Sequence, residues 1–344
     1  MSANHQFDLT PEKQASLPRF FYNQLTVKPV EVRDVDLQGK TVIVTGANSG
    51  VGFESSRQLL DLGLSKLILA VRNEEKGNAA LARLSQGRTL DVNAIEVWLV
   101  DFSDYDSIVS FAERTKSLER LDIVILSVGI FQGTRTFNER TKHDEMIQVN
   151  YLSTALLTIL LLPICKAKKG SQPTRITIVS SEVSAWTNFK ERNERPLLSA
   201  LDKPGDTNLL DRMMVSKLLG QLFLAELTKI VPTTIAVINS ASPAGLHDTG
   251  FGSELEKGVI AAIVKGIQRR IYYSSAVGSR TVVDAAVKHG VESHGKFFSF
   301  QKMVPMAPLV YSSEGQEIRS ELWKETMAEL SFARVDTILK EIGT

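Results

Sequence analysis

From residue 41 onward the chain alternates short β-branched runs with amphipathic stretches: "TVIVTG", "KLILAVR", "AIEVWLVD", "LDIVILSVG", "RITIVSS" and "TTIAVINSASP". Two periodicities in regular alternation leave few ways to bury every apolar face. Each run is almost wholly apolar, as in strands covered on both sides, and the stretches between them suit crossover helices. The pattern predicts an α/β fold, a doubly wound parallel sheet with helices on both faces. No segment rich in Pro, Gly or Ser divides the chain, and no repeat is visible. With 344 residues and 43% hydrophobic content, a sizeable core is within reach. The reading is therefore a single domain over residues 39–310, including its substrate-covering segments, with an N-terminal arm (1–38) and a C-terminal helical extension (311–344).

In the arm, "LPRFFYNQL" at 17–25 places Phe20, Phe21 and Leu25 near one helical face, which is expected to cap the domain rather than rest on a membrane. In the extension, "SSEGQEIRSELWKETMAEL" at 312–330 opens with a Ser313/Gln316 capping-box spacing and predicts a helix. The polar, turn-rich stretch 187–208 predicts a surface insertion.

Composition removes several function classes. Lys plus Arg number 40 against 39 Asp plus Glu, and a net charge of +1 gives no field to steer phosphate backbones, so no nucleic-acid partner is expected. The single cysteine, Cys165, excludes an intrachain disulfide and any multi-thiolate metal site. His143, His289 and His294 have no metal-ligand spacing, and no metal is expected. "MSANHQFDLTPEKQ" lacks an apolar signal core, and "ALLTILLLPIC" at 155–165 is too short to span a bilayer. A buried helix, a cytoplasmic location and no firm membrane anchor are the expectations.

"TVIVTGANSGVGFESSRQLLDLG" joins a strand to a helix through Gly46, Gly50 and Gly52. Glycines here permit positive φ and let the backbone approach a pyrophosphate seated on the helix N-terminus. The signal gains weight because a strand precedes it, a helix follows, and the next strand ends about twenty residues on. That strand ends in Arg72, where an NAD site usually places an acid; a guanidinium there pairs with a 2′-phosphate, which points to NADP(H). No P-loop lysine follows the glycines.

The TG-x3-G-x-G pattern, with "VNYLSTALL", "IVSSEVSAW" and the Ser216-Lys217 helix, resembles the short-chain dehydrogenase/reductase family over about residues 38–300. "GKTVIVTGANSGVGFE", "AVRNEEKG" and "ESHGKFFSF" look like its retinol-dehydrogenase-like branch in fungal secondary metabolism. The resemblance implies a Rossmann sheet, a nicotinamide cofactor and a homodimer or tetramer through the helix at 151–167. It implies that Asn150 supports a water relay, that Ser181 orients substrate, and that Lys217 binds the nicotinamide ribose. The cofactor is then expected against Gly46, Asn48, Ser49, Gly50, Val51, Gly52, Arg72, Asp101, Gly129 and Lys217. Where the family has N-N-A-G the chain reads "LSVG", and "SPAG" inserts Ala244 between Pro243 and Gly245.

A larger departure lies in "LLDRMMVSKLLGQLF", where Met213 stands four residues before Lys217 in the place of the family's tyrosine. None of the tyrosines, at 22, 105, 151, 272, 273 and 311, has a lysine four residues later. A thioether has no proton to give an alkoxide. Lys217, His247 in "GLHDTGF", Glu182 or water are the substitutes within the sequence's means, and Met213, Met214 and Trp186 would line an apolar pocket for a lipophilic small molecule. The leading expectation is an NADPH-dependent oxidoreductase acting on a polyketide or terpenoid carbonyl with an atypical proton donor. A non-redox cyclase, isomerase or dehydratase on the same scaffold, or a catalytically silent family member, are the alternatives.

Overall fold

The computed structural model describes residues 7–248 and 269–343. All six apolar runs form strands: β1 (Thr41–Thr45), β2 (Lys66–Val71), β3 (Ile95–Leu99), β4 (Ile123–Leu126), β5 (Thr174–Val179) and β6 (Ala236–Ser242). Two further strands, β7 (Phe297–Ser299) and β8 (Lys302–Val304), complete a sheet of order β3-β2-β1-β4-β5-β6-β7-β8. The pairs from β3 to β7 are parallel, and β8 runs antiparallel to β7. β1, β4 and β6 are buried along their whole length, which accounts for their unbroken apolar sequence. Strand order reverses between β1 and β4, and in such sheets the crevice beyond that point is where ligands bind.

The arm carries α1 (Pro11–Gln14) and α2 (Leu17–Thr26). Helices α3 (Gly50–Asp61), α4 (Glu74–Ser85) and α5 (Tyr105–Thr115) follow the first three strands. A short α6 (Glu145–Ile147) continues through a π-helical turn, Gln148–Leu152, into α7 (Ser153–Lys168). Next come α8 (Leu197–Leu201) and α9 (Leu209–Ile230) before β6, then α10 (Ser275–Val287), α11 (Ser313–Glu329) and α12 (Val335–Gly343). One core, centred on α5, α7, α9 and the two C-terminal helices, fills one side of the sheet; α3, α4 and α10 build the other.

Four local expectations change. α2 caps the domain through Phe20 and Gln24, while Phe21 and Leu25 face solvent, because the buried stripe runs i, i+4 from Phe20. The N-cap of α11 is Ser312, whose Oγ accepts from Gly315 N at 2.9 Å; Ser313 is already inside the helix. The 187–208 insertion is more than surface, since it buries Phe189, Leu197 and Leu201, and both Glu325 carboxylate oxygens accept from the α8 N-terminus at 2.7 Å. The apolar run at 155–165 belongs to a continuous helix, Glu145–Lys168, long and apolar enough by composition to cross a membrane; its apolar window is 89% buried inside the fold.

β7 and β8 carry no sequence signal because each has only three residues. Phe300 and Gln301 join them with φ of 49° and 59°, a left-handed turn usually given to Gly or Asn. The arm holds that turn: Val30 N donates to Gln301 Oε1 at 2.7 Å, and Gln301 Nε2 donates to Val30 O at 2.9 Å.

Candidate active site

A cleft of about 850 Å³ runs along the C-terminal edge of the sheet, from the end of β2 past β1 and β4 to β5. Gly46, Asn48, Ser49, Gly50 and Val51 form its floor. Gly46 holds φ at +65°, and a Cβ on Gly52 would lie 2.4 Å from the Gly46 carbonyl oxygen. Gly52 therefore does not line the cleft; it lets the first turn of α3 pack against the loop, which presents the helix N-terminus to the cavity.

At one end of the cleft stand Arg72, Asp101 and Lys76. Arg72 and Lys76 are exposed, and neither side chain has a hydrogen-bond or ion-pair partner among the described residues. Two unpaired cations beside a glycine turn suit a phosphate-bearing ligand. Asp101 Oδ1 accepts from Ser103 N at 2.9 Å, which fixes its carboxylate at the mouth. Lys76 escaped the sequence reading, although its position four residues beyond Arg72, in the first turn of α4, is a readable signal.

The other end gathers Ser181, Met213 and Lys217. Ser181 caps a 3₁₀ turn, Glu182–Ala185; its Oγ accepts from Val183 N at 3.4 Å, so its own proton remains to donate. Asn208 caps α9 by accepting from Asp211 N at 3.0 Å, and one helical period brings Met213 and Lys217 to the same face. Lys217 Nζ donates to Val179 O at 3.2 Å. Burial lowers its ammonium to a pKa of about 8. Met213 is only 6% exposed, and Val179, Val183, Ile130, Phe131 and Leu246 add apolar wall around it. Ser127, Val128 and Gly129 of "LSVG" also line the cleft, with Ser127 N donating to Thr45 Oγ1 at 3.0 Å.

Asn150 sits in the π-helical turn behind this wall. Its Oδ1 accepts from Ile130 N at 2.7 Å, and its Nδ2 donates to Ile130 O at 3.0 Å and Ser216 Oγ at 2.9 Å. With its amide fully engaged, the side chain ties the loop after β4 to α9 and does not reach the cleft.

Four anticipated neighbours lie elsewhere. Trp186 turns to the arm, where Nε1 donates to Ala15 O at 2.7 Å and the ring meets Phe20 edge-on at 5.1 Å. Met214 is rotated about 100° from Met213 around the helix and leaves the cleft. His247 pairs its backbone N–H with Tyr273 O at 3.1 Å and is not among the lining residues; the chain from 249 to 268 lies outside the described residues. Glu182 points away from the cavity, into the space between β6 and β7.

Residues 40–190 match the family described as short chain dehydrogenase. The chain is 43% identical over 343 residues to the short-chain dehydrogenase fogG of Aspergillus ruber, covering 98% of each chain. It is 39% identical to the short chain dehydrogenase/reductase mfmJ of Annulohypoxylon moriforme, covering 97% of this chain and 98% of that one. Among solved structures, salutaridine reductase from Papaver somniferum superposes with a TM-score of 0.58 at 18% identity, covering 76% of this chain and 99% of its own.

Proposed function

This chain belongs to the short-chain dehydrogenase/reductase family of NAD(P)-dependent oxidoreductases, and we propose that it reduces a lipophilic secondary-metabolite carbonyl with NADPH by a route that needs no tyrosine. One observation carries the reading: a single cleft joins the glycine cradle and the unpaired Arg72 and Lys76 at one end to Ser181, Lys217 and Met213 at the other. Gly46, Ser49, Gly50 and Val51 would hold the pyrophosphate, Arg72 and Lys76 a 2′-phosphate, and Lys217 the nicotinamide ribose. When bound, the cofactor supplies the hydride. Ser181 offers its free hydroxyl proton to the substrate oxygen and so orients the carbonyl. Lys217, with its pKa lowered to about 8, releases a proton readily near neutrality and stands in for the missing phenol. Met213 contributes an apolar wall that favours a lipophilic guest.

The same buried thioether supports a second reading, a cyclase, isomerase or dehydratase that uses the shaped pocket without redox chemistry. The test is turnover of a panel of aryl and alkyl ketones with 4-deuterated NADPH. Deuterium on the carbinol carbon, with turnover abolished when NADPH is omitted, is the expected result. Unlabelled product formed without cofactor consumption would replace the redox reading with the second.

A further inference from the structure

Glu182 directly follows Ser181, yet its carboxyl is buried behind the cleft, with the residue 7% exposed. One oxygen bonds the Ser242 hydroxyl at the end of β6, and the other bonds the Ser299 hydroxyl at the end of β7. Ser242 Oγ in turn accepts from Ala244 N at 3.0 Å. Ala244 is a non-glycine residue held at φ +63°, a conformation that needs support from its surroundings. Pro243, Ala244 and Leu246 form the cleft wall near Ser181 and Val183. From the outside, Gln24 of α2 accepts from Gly245 N at 2.9 Å. The turn that contains the inserted Ala244 is thus held from two sides, at Ala244 N from within and at Gly245 N from outside, and the inner hold starts on the residue next to Ser181. Burial raises the Glu182 pKa, while the two serine bonds lower it, so the site favours the protonated carboxyl. Tyr273 lies close by, and burial is the main cause that pushes its pKa up, to about 12.

We propose that Glu182 is a positioning residue which, through Ser242, fixes the Pro243–Leu246 wall against Ser181 and so shapes the nicotinamide half of the cofactor site. The inference rests on the cofactor reading above, and two ligands separate the two. On that reading adenosine 2′,5′-bisphosphate would occupy only the Arg72 and Asp101 end, whereas NADPH would extend to Ser181 and Lys217.

Affinities are measured by calorimetry for the bisphosphate and by nicotinamide fluorescence for NADPH. Glu182→Ala should weaken NADPH about tenfold, the usual consequence of stranding buried hydrogen-bond partners, and leave the bisphosphate unchanged. Glu182→Gln keeps one acceptor and one donor and should restore NADPH binding. Ser242→Ala should reproduce the Glu182→Ala loss, and it carries the test alone if Glu182→Ala does not fold. Equal weakening of both ligands, failure of Gln to rescue, or undiminished NADPH binding by Ser242→Ala overturns the positioning role. An unmutated chain that binds neither ligand overturns the cofactor reading, and the proposal with it.

Discussion

Met213 is the residue on which the proposed chemistry turns. It occupies the cleft one helical turn before Lys217, on the face where a donor would have to stand, and offers only a weak acceptor. Ser181 and Lys217 already line the same cavity, so Met213→Tyr should raise reduction of lipophilic ketones by about 100-fold or more, the usual worth of a positioned general acid. NADPH oxidation followed at 340 nm checks this; no gain with cofactor still bound would mean that the hydroxyl cannot reach the carbonyl. At the opposite end, Arg72 is exposed and has no side-chain partner among the described residues, which leaves it able to form charge-assisted bonds that NADH cannot accept. Calorimetry should find NADPH bound more tightly than NADH, and Arg72→Ala should bring the two affinities close together. Equal affinities in the unmutated chain would remove the cofactor assignment.

Between elements, one buried electrostatic joint lies away from the cleft. His143, in the loop before α6, places Nδ1 2.6 Å from Asp202 at the end of α8 and Nε2 3.1 Å from Glu329 in the last turn of α11. Burial alone would lower its pKa, but the hydrogen bonds and charges of the two carboxylates outweigh that and raise it to about 9. Because the folded value exceeds the ordinary 6.5, the stabilisation is fully present below about pH 6.5 and is lost as pH rises through 9. The stake is roughly 3 kcal/mol. Thermal denaturation should show stability falling between pH 6.5 and 9.5, and His143→Gln should be less stable at pH 6 with a flatter profile. A parallel profile in the variant would place the titration elsewhere. Next along the chain, Asp144 pairs with Arg135 at 2.8 Å and lies 3.6 Å from Arg212, so the same loop also grips the residue preceding Met213.

For the molecule as a whole, the C-terminal helices decide which surfaces remain. Tyr151 OH meets Thr326 Oγ1 at 2.6 Å, Phe223 stacks on Trp323 with centroids 5.7 Å apart, and Lys166 Nζ donates to Glu341 O at 3.0 Å. α11 and α12 thereby lie across α9 and α7, the latter being the helix through which the family resemblance implies a homodimer or tetramer. Ile318, Leu322, Leu339 and Ile342 are buried in the same core as α7 and α9, so undocking them would expose that core. Cross-linking from cysteines introduced along residues 151–167 should find no dimer built on that helix. A dimer whose interface includes residues 151–167 would require α11 and α12 to move, and would refute this placement.

The fold and the glycine turn after β1 were legible in sequence because their signals are local. Six strands announced themselves as apolar runs, and the glycines of that turn follow from backbone geometry within a few residues. The i, i+4 relation likewise put Met213 beside Lys217 without any structure. β7 and β8 were silent, since three residues carry no period and their turn is held by Gln301 against the distant arm. Trp186 and Met214 were drawn to the pocket by chain proximity, yet a 3₁₀ turn and a helical rotation direct them elsewhere. Glu182 was visible only as a neighbour of Ser181. Its partners are 60 and 117 residues away, and which face of the turn its carboxyl takes depends on the ends of β6 and β7 meeting there. His143 is similar, because its two carboxylates come from the insertion and the extension. What the sequence determined by itself is whatever a helical turn or a strand enforces between near neighbours; only tertiary packing decided which distant polar groups share a buried space, because burial is what makes them bond to each other rather than to water.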